Sequence, residues 1–429
     1  MKKSIKIVII LCIFVGALIS TKIVKIQSEK LRVSEGQQIK NQETVNNLTT
    51  KVNSEDKKAT IVAVGDIIIH DDQLKAQFNE GTGEYNFDNN FKYVKAHIQS
   101  ADIALGNLET TLAGQAKKYT GYPLFNSPSS IVDAMMNCGF DILSTVNNHT
   151  IDRGSSGVLS TLKEIQKRNL KVIGTRENEI VKPYIIEEVK GIKIGVISYS
   201  YETPRKGKSK TLNAIEIPGD VINLLNTFSY EYIEEDLKKI KVQIDEMKSK
   251  GAEAIIFFIH WGNEYERKPN VHQINIANAL CDYGVDIILG SHPHVIQPIE
   301  FITSEKTGKR TLVVYSMGNF ISNQQYERTN NRYTEDGIIV NIDIVKSDLS
   351  NSITISGVSY IPTWVHRYTD NNKFIYEVLP LTDALASKDK FNLRDGIEVW
   401  RAENSEKSTR ILIGEKSEII EGGAKEVIN

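Results

Sequence analysis

The sequence predicts an α/β fold, on three observations. Short apolar runs rich in β-branched residues recur from Thr60 onward, helical patterns separate several of them, and run after run ends in a polar or histidine-bearing motif. Ligand sites of open α/β sheets lie past the carboxyl ends of strands, so motifs placed there are functional candidates as well as fold markers. With 429 residues the chain can build one large α/β domain or two smaller ones. A formal net charge of −2 gives no global pull toward nucleic acid. The three cysteines, Cys12, Cys138 and Cys281, make neither a disulfide framework nor a thiolate metal site.

The N-terminus carries an address. Lys2, Lys3 and Lys6 precede an apolar run from Ile7 to Ser20, and Lys22 follows it. Counted from Ile5 to Val24, with Lys6 and Lys22 reaching the headgroups, this segment is long enough to span a bilayer. Leu18 sits where a cleavage site prefers a small residue, so residues 1–26 are expected to be an uncleaved signal anchor, crossing once and leaving the rest of the chain outside the cell. Residues 27–58, rich in Lys, Glu, Gln and Asn, read as a polar tether.

The main domain is expected over residues 59–380. Thr60–Val64 is a buried strand that delivers Gly65-Asp66, with His70 close behind. Asp102–Leu105 runs into Gly106-Asn107-Leu108-Glu109. Ser127-Pro128 opens a helix that ends at Gly139. Strand Asp141–Val146 then leads to Asn147-Asn148-His149, with Asp152 placed to orient the imidazole. A helix over about 155–168, paired strands at 184–189 and 192–198, and a basic run from Arg205 to Lys210 follow; that run reads as a solvated loop. Ile233, Leu237, Ile240, Ile244 and Met247 mark one face of a long amphipathic helix. Strand Ala254–Ile259 ends at His260-Trp261-Gly262, and helix Val271–Tyr283 leads to strand Val285–Leu289.

That last strand opens into Gly290-Ser291-His292-Pro293-His294. Pro293 biases His292 toward extended backbone, and residues two apart in extended chain point the same way, so both imidazoles are expected on one side of a stiff loop. Further strands at 311–315 and 337–344 flank Ser316–Phe320. Asp66, Glu109, Asn148, His149, His260, His292 and His294 thus all follow predicted strands. Carboxylate, amide and imidazole without thiolate suit Mn, Fe, Zn or Ni, and two ions sharing one carboxylate would need a donor set of this size. Residues 381–429 hold no such motif; their short apolar stretches suggest a small hairpin or peripheral segment.

In this order the motifs resemble the CapA family of poly-γ-glutamate capsule biosynthesis proteins, within the calcineurin-like metallophosphoesterase superfamily. The resemblance runs from about Thr60 to Pro380 and includes Ser316–Phe320. It implies a four-layer α/β/β/α metallophosphoesterase-like sandwich with a dinuclear centre at one sheet edge. Asp66 and His294 would hold one divalent transition metal, and Asn148, His260 and His292 the other, with Glu109 bridging. His149, oriented by Asp152, would be the catalytic acid. Two positions depart from the superfamily pattern: Ile68 stands where a histidine is usual, and Glu109 stands for an aspartate. The resemblance further implies a membrane-anchored, extracellular component of poly-γ-glutamate synthesis or export. Its expected partners are the membrane, capsule synthetase subunits and an anionic polymer or envelope substrate. Its alternatives are a non-enzymatic assembly subunit of the synthetase and an envelope metallophosphoesterase unrelated to polyglutamate.

Overall fold

The computed structural model describes residues 56–421 apart from 208, 395 and 415–418, together with Lys25. The chain divides into two compact units, Met1–Asp56 and Lys57–Asn429. The anchor expected over residues 1–26, apart from Lys25, and nearly all of the tether expected over 27–58 lie outside the described residues. Among the described residues no helix is long and apolar enough to cross a membrane. The second unit starts inside the expected tether, because its first strand, β1, spans Lys57–Ile67 and pairs Lys57 with Lys346.

Two sheets organise this unit. In the first, β1 is followed by helix α1 (Asp71–Gln77) and α2 (Lys95–Gln99), then β2 (Ile103–Leu108), α3 (Ser130–Cys138), β3 (Ile142–Ser144), α4 (Gly154–Gln166) and β4 (Lys171–Ile173). These strands run parallel, as strands joined by helical crossovers do. The second sheet begins with the hairpin β5 (Tyr184–Val189) and β6 (Ile192–Lys206) and the short strands β7 (Ser209–Leu212), β8 (Ile215–Glu216) and β9 (Thr227–Ser229). Helix α5 (Ile233–Ser249) leads to β10 (Ala254–His260), α6 (Val271–Asp282), β11 (Ile287–Ser291), β12 (Ile299–Thr303) and β13 (Arg310–Val314). Here β6, β10, β11 and β13 are parallel neighbours. The chain then returns to the first sheet through β14 (Asn319–Ile321), β15 (Asp336–Lys346), β16 (Ile353–Asp370) and β17 (Lys373–Pro380). The first sheet therefore reads β17-β16-β15-β1-β2-β3-β4, with the earliest strand at its centre.

Alternation along the strands assigns each face. Ile61 and Ala63 join Ile194, Val196, Ile256 and Phe258 in one apolar cluster, so the two sheets pack face to face. Val62 and Val64 point the other way, into a cluster with Ile131 and Met135 of α3 and Ile165 of α4. Ile197, Ile255 and Phe257 likewise meet Leu237, Ile240 and Ile244 of α5 and Ile276 of α6. Each fully buried aliphatic side chain of this kind contributes about 1.5–3 kcal/mol, and a one-residue slip would expose a whole face, so register is firmly set. The two ends of the basic run are not free in solvent: Arg205 and Lys210 both pair with buried Glu202, at 3.0 and 2.7 Å.

The tail differs most from expectation. It forms helix α7 (Leu381–Ala386) and a seventeen-residue helix α8 (Ile397–Ile413), not a hairpin. Leu381, Phe391, Val399 and Ala402 pack on Trp364 and Leu379, so the segment is docked on β16 and β17. The apolar stretches at 397–400 and 411–413 are the two ends of α8, whose polar middle hides its period. That middle holds a buried acid: Ser405 Oγ donates to Asp336 Oδ1 at 2.7 Å and Ser408 Oγ to Oδ2 at 3.3 Å.

Burial pushes the Asp336 carboxyl up to about 7, with the Ser405 hydrogen bond partly opposing it. A carboxyl that holds its proton longer when folded loses stability as pH rises, here from about 4 to about 7. Asp336→Asn should therefore be less sensitive than wild type, by about 2–3 kcal/mol between pH 5 and pH 8. Urea midpoints at the two pH values, with unchanged slope, measure the difference.

Candidate metal centre

The carboxyl ends of the parallel strands in both sheets meet at one edge of the sandwich. From β1, Asp66 enters the site with its backbone N–H on Gly318 O at 3.0 Å. A Cβ on Gly65 would lie 1.9 Å from that same carbonyl oxygen, so only glycine permits the approach. Asp66 Oδ1 accepts from Asn107 Nδ2 at 2.7 Å, and Oδ2 accepts the backbone N–H of His292 at 3.1 Å. Asn107 Nδ2 also reaches Glu109 Oε2 at 3.2 Å. One amide thus fixes both carboxylates, Asp66 at the end of β1 and Glu109 just past β2. Asn107 is in turn set by Asn147, whose Nδ2 donates to Asn107 Oδ1 at 3.2 Å.

The histidines come from the second sheet. His260, at the end of β10, places Nδ1 2.9 Å from Ser291 Oγ and Nε2 2.8 Å from Asn148 Oδ1. With its proton on Nδ1, the ring faces the amide oxygen lone pair to lone pair, an arrangement a cation would satisfy. Asn148 is oriented by a residue the sequence reading missed, since its Nδ2 donates to Asn213 Oδ1 at 3.0 Å. Asn213 sits on the β7–β8 turn with φ 47°, and nothing in its Leu-Asn-Ala context marks it.

The loop after β11 corrects one expectation. His292 and His294 are not extended; their φ values are 97° and 55°, a conformation non-glycine residues seldom hold. The backbone is pinned there by the His292 N–H bond to Asp66 and by Tyr265 N–H donating to Pro293 O at 2.8 Å. Strain of this kind persists where the surroundings over-determine it. It puts the two rings 5.9 Å apart and leaves the His292 ring 4.7 Å from that of His260. His294 Nδ1 lies 3.3 Å from Asp66 Oδ2 and 3.1 Å from Asn319 Oδ1.

Three sets of possible ligand atoms, each within 4.8 Å of one another, result: Glu109–His260–His292, Asp66–Glu109–His294 and Glu264–His292–His294. Glu109 belongs to both wholly buried sets, the position a bridging carboxylate would take. Its Oε1 is 3.6 Å from His260 Nε2 and 3.9 Å from His294 Nε2, and it has no hydrogen-bond partner; nor has His292 Nδ1. Two buried polar atoms left without partners are costly, and where both present lone pairs a cation between them would satisfy them. His70 takes no part in these sets. It starts α1, its Nδ1 accepting the Asn323 N–H at 3.2 Å, with Gln73 Oε1 on its own N–H at 2.9 Å.

Electrostatics agree with a cation site. Burial holds His260 at about 3 and His292 well below the usual imidazole range, so both keep the neutral form that binds metals. Burial, then the charge of Asp66, pushes the Glu109 carboxyl well up. Burial alone would raise Asp66, but its hydrogen bond to His294 and the neighbouring imidazoles outweigh it and hold the carboxyl low. His294 responds oppositely: burial lowers it, and Asp66 more than restores it. Among the described residues the ion pairs of Asp66 and Glu109 are with imidazoles, which leaves the carboxylates short of positive charge. The donor set, oxygen and nitrogen without sulfur, suits divalent metal ions.

His149 stands beside the ligands. Its Nδ1 lies 2.8 Å from Asp152 Oδ2, which also accepts the Phe125 N–H at 2.7 Å, while the Phe125 ring packs edge-on at 4.6 Å. Tyr201 closes the other side, its ring 4.7 Å from that of His292. A broader depression of about 1010 Å³, lined by Tyr368, Lys388, Lys390 and Arg394, holds none of these histidines.

Comparison with known proteins adds the following. Residues 60–324 match the family described as bacterial capsule synthesis protein PGA_cap. The capsule biosynthesis protein CapA of Bacillus anthracis is 28% identical over 282 residues, covering 64% of this chain and 62% of that protein. The PGA biosynthesis protein CapA of Bacillus subtilis (strain 168) is 29% identical over 252 residues, covering 58% and 60%. The chain thus spans about three fifths of the length of the curated relatives it matches. Among solved structures, a novel phosphatase of Mycoplasma pneumoniae aligns with TM-score 0.42 at 13% identity, covering 72% of this chain and 94% of that one. The calcineurin-like phosphoesterase YfkN of Bacillus subtilis aligns with TM-score 0.37 at 14% identity, covering 83% and 98%.

The raised Glu109 carboxyl yields a test. In chelator-treated protein at pH 7.5, Glu109→Gln should be more stable than wild type by about 1 kcal/mol or more, because the charge being buried is gone. The variant should lose this margin as pH falls toward the ordinary carboxylate range, where Glu109 of wild type is protonated in both states. Added Mn²⁺ should stabilise wild type more than the variant. Denaturation midpoints with and without metal read all three.

Proposed function

The chain belongs to the bacterial capsule synthesis protein family, and on that premise we propose that it is a poly-γ-glutamate capsule component whose histidine–carboxylate centre holds two divalent metal ions and supports hydrolysis. The observation that carries the reading is the shared position of Glu109 in two buried ligand sets, with its Oε1 and His292 Nδ1 both lacking partners. Asn148, His260 and His292 would hold one ion and Asp66 and His294 the other, with Glu109 common to both. Bound there, such a pair supplies an activated water and charge neutralisation for a phosphoryl or acyl group.

The chain's own residues supply the rest. Asp152 accepts the Nδ1 proton of His149 and stabilises the ring when it is charged, so Nε2 can hold a proton and release it to a departing oxygen or nitrogen. Phe125 and Asp152 keep that ring from turning. Tyr201 covers the His292 ring and limits access of water from that side. The basic–apolar start of the chain supports a placement outside the cell, tethered to the membrane beside synthetase subunits and an anionic polymer or envelope substrate.

The full-length chain loaded with Mn²⁺ should cleave a chromogenic phosphodiester or a γ-glutamyl amide. His292→Ala should lose both metal and turnover. His149→Ala should keep its metal and lose roughly 10²-fold or more in rate. Equal product release by wild type and both variants would mean the centre is idle, leaving the non-enzymatic assembly role.

A further inference from the structure

The two buried ligand sets differ in their amide oxygens. The Asn148 oxygen faces His260 Nε2 at 2.8 Å in the set of Glu109, His260 and His292, whereas in the set of Asp66, Glu109 and His294 the buried amide oxygen, Asn319 Oδ1, lies against His294 Nδ1 at 3.1 Å. Ile68, buried to 1% exposure, offers no donor, and the Nδ1 of His70 is engaged by Asn323. Among the described residues a further carboxylate reaches the same rings: that of Glu264 lies within 4.8 Å of ligand nitrogens on His292 and His294.

Its placement is built by the backbone on either side. Trp261 N–H donates to Ser291 O at 3.1 Å and Tyr265 N–H to Pro293 O at 2.8 Å, so residues 261–265 lie along 291–293. Gly262, with φ 88°, makes the bend; its N–H is taken by Tyr230 Oη at 2.8 Å, and a Cβ there would meet the Gln273 side chain at 2.7 Å. His292, shared by this set and the buried one, carries a buried Nδ1 with no partner. Unlike the other carboxylates of the centre, Glu264 is exposed.

We propose that Glu264 joins His294 on the open side of the centre as an exchangeable cation ligand, giving way to an anionic group of the substrate. The assignment rests on the metal reading above. Solvent access lets this carboxylate leave without stranding a buried charge, which Asp66 and Glu109 cannot do.

Calorimetric titration of the full-length chain with Mn²⁺ tests it. Wild type should bind two ions. Glu264→Gln, an exposed and isosteric change, should weaken one of them about 10–100-fold and leave the other unchanged. At saturating Mn²⁺ the variant should bind inorganic phosphate more tightly than wild type, because no carboxylate has to be displaced. Unchanged affinity for both ions would overturn the ligand role. Weaker phosphate binding by the loaded variant would overturn the exchange. Absence of Mn²⁺ binding by wild type would overturn this assignment and the metal reading together.

Discussion

Asp66 and Glu109 are carried into the protein on one amide nitrogen, Asn107 Nδ2, and the arrangement around them follows from their shared lack of positive charge. Two carboxylates held this way repel each other, and the imidazoles facing them are too desolvated to compensate fully. His294 does so, by pairing with Asp66; His260 and His292 stay neutral. The geometry is therefore preorganised for a charge that the polypeptide itself does not provide. It also explains why the backbone at His292 and His294 tolerates positive φ, since Asp66 holds the His292 N–H directly.

The ligands are divided between the sheets. Asp66, Glu109 and Asn148 lie at or beyond the carboxyl ends of strands of the first, and His260, His292 and His294 at or beyond those of the second. Neither half has a complete set. Packing of the inner faces, through Ile61, Ala63, Val196 and Ile256, therefore fixes the separation of the donors as well as the stability of the domain. Small changes in that apolar layer would be felt at the centre, because close-packed cores transmit displacement.

Much of this was legible before the coordinates. Apolar runs bounded by glycine marked the parallel strands, and Asp66, Glu109, Asn148, His260 and the paired histidines stood at their ends. What could not be read were partners fixed by long-range contacts. Asn213 reaches Asn148 from a turn, and Glu264 reaches His292 and His294 from a loop, with no local pattern to announce either. The backbone of His292 was misjudged because a proline rule is local and the bond to Asp66 is not. Helix α8 escaped because the middle of its buried face is Ala402, Ser405, Ser408 and Thr409, which carry little hydrophobic period between Val399 and Ile413.

The place of β1 has a consequence for how the protein is made. It is the first strand of the domain, yet it lies between β2 and β15, and Thr60 Oγ1 donates to Asp343 Oδ1 across most of the chain at 2.7 Å. The central pairing of the first sheet cannot form until β15 has been synthesised, and α8 cannot cover Asp336 until later still. During that interval β1 offers an open apolar edge, the state in which long-range sheets are most exposed to proteases and mispairing. The parallel half of the first sheet, β1 to β4, is complete in sequence by Ile173, whereas the other flank of β1 waits for residues 336–346.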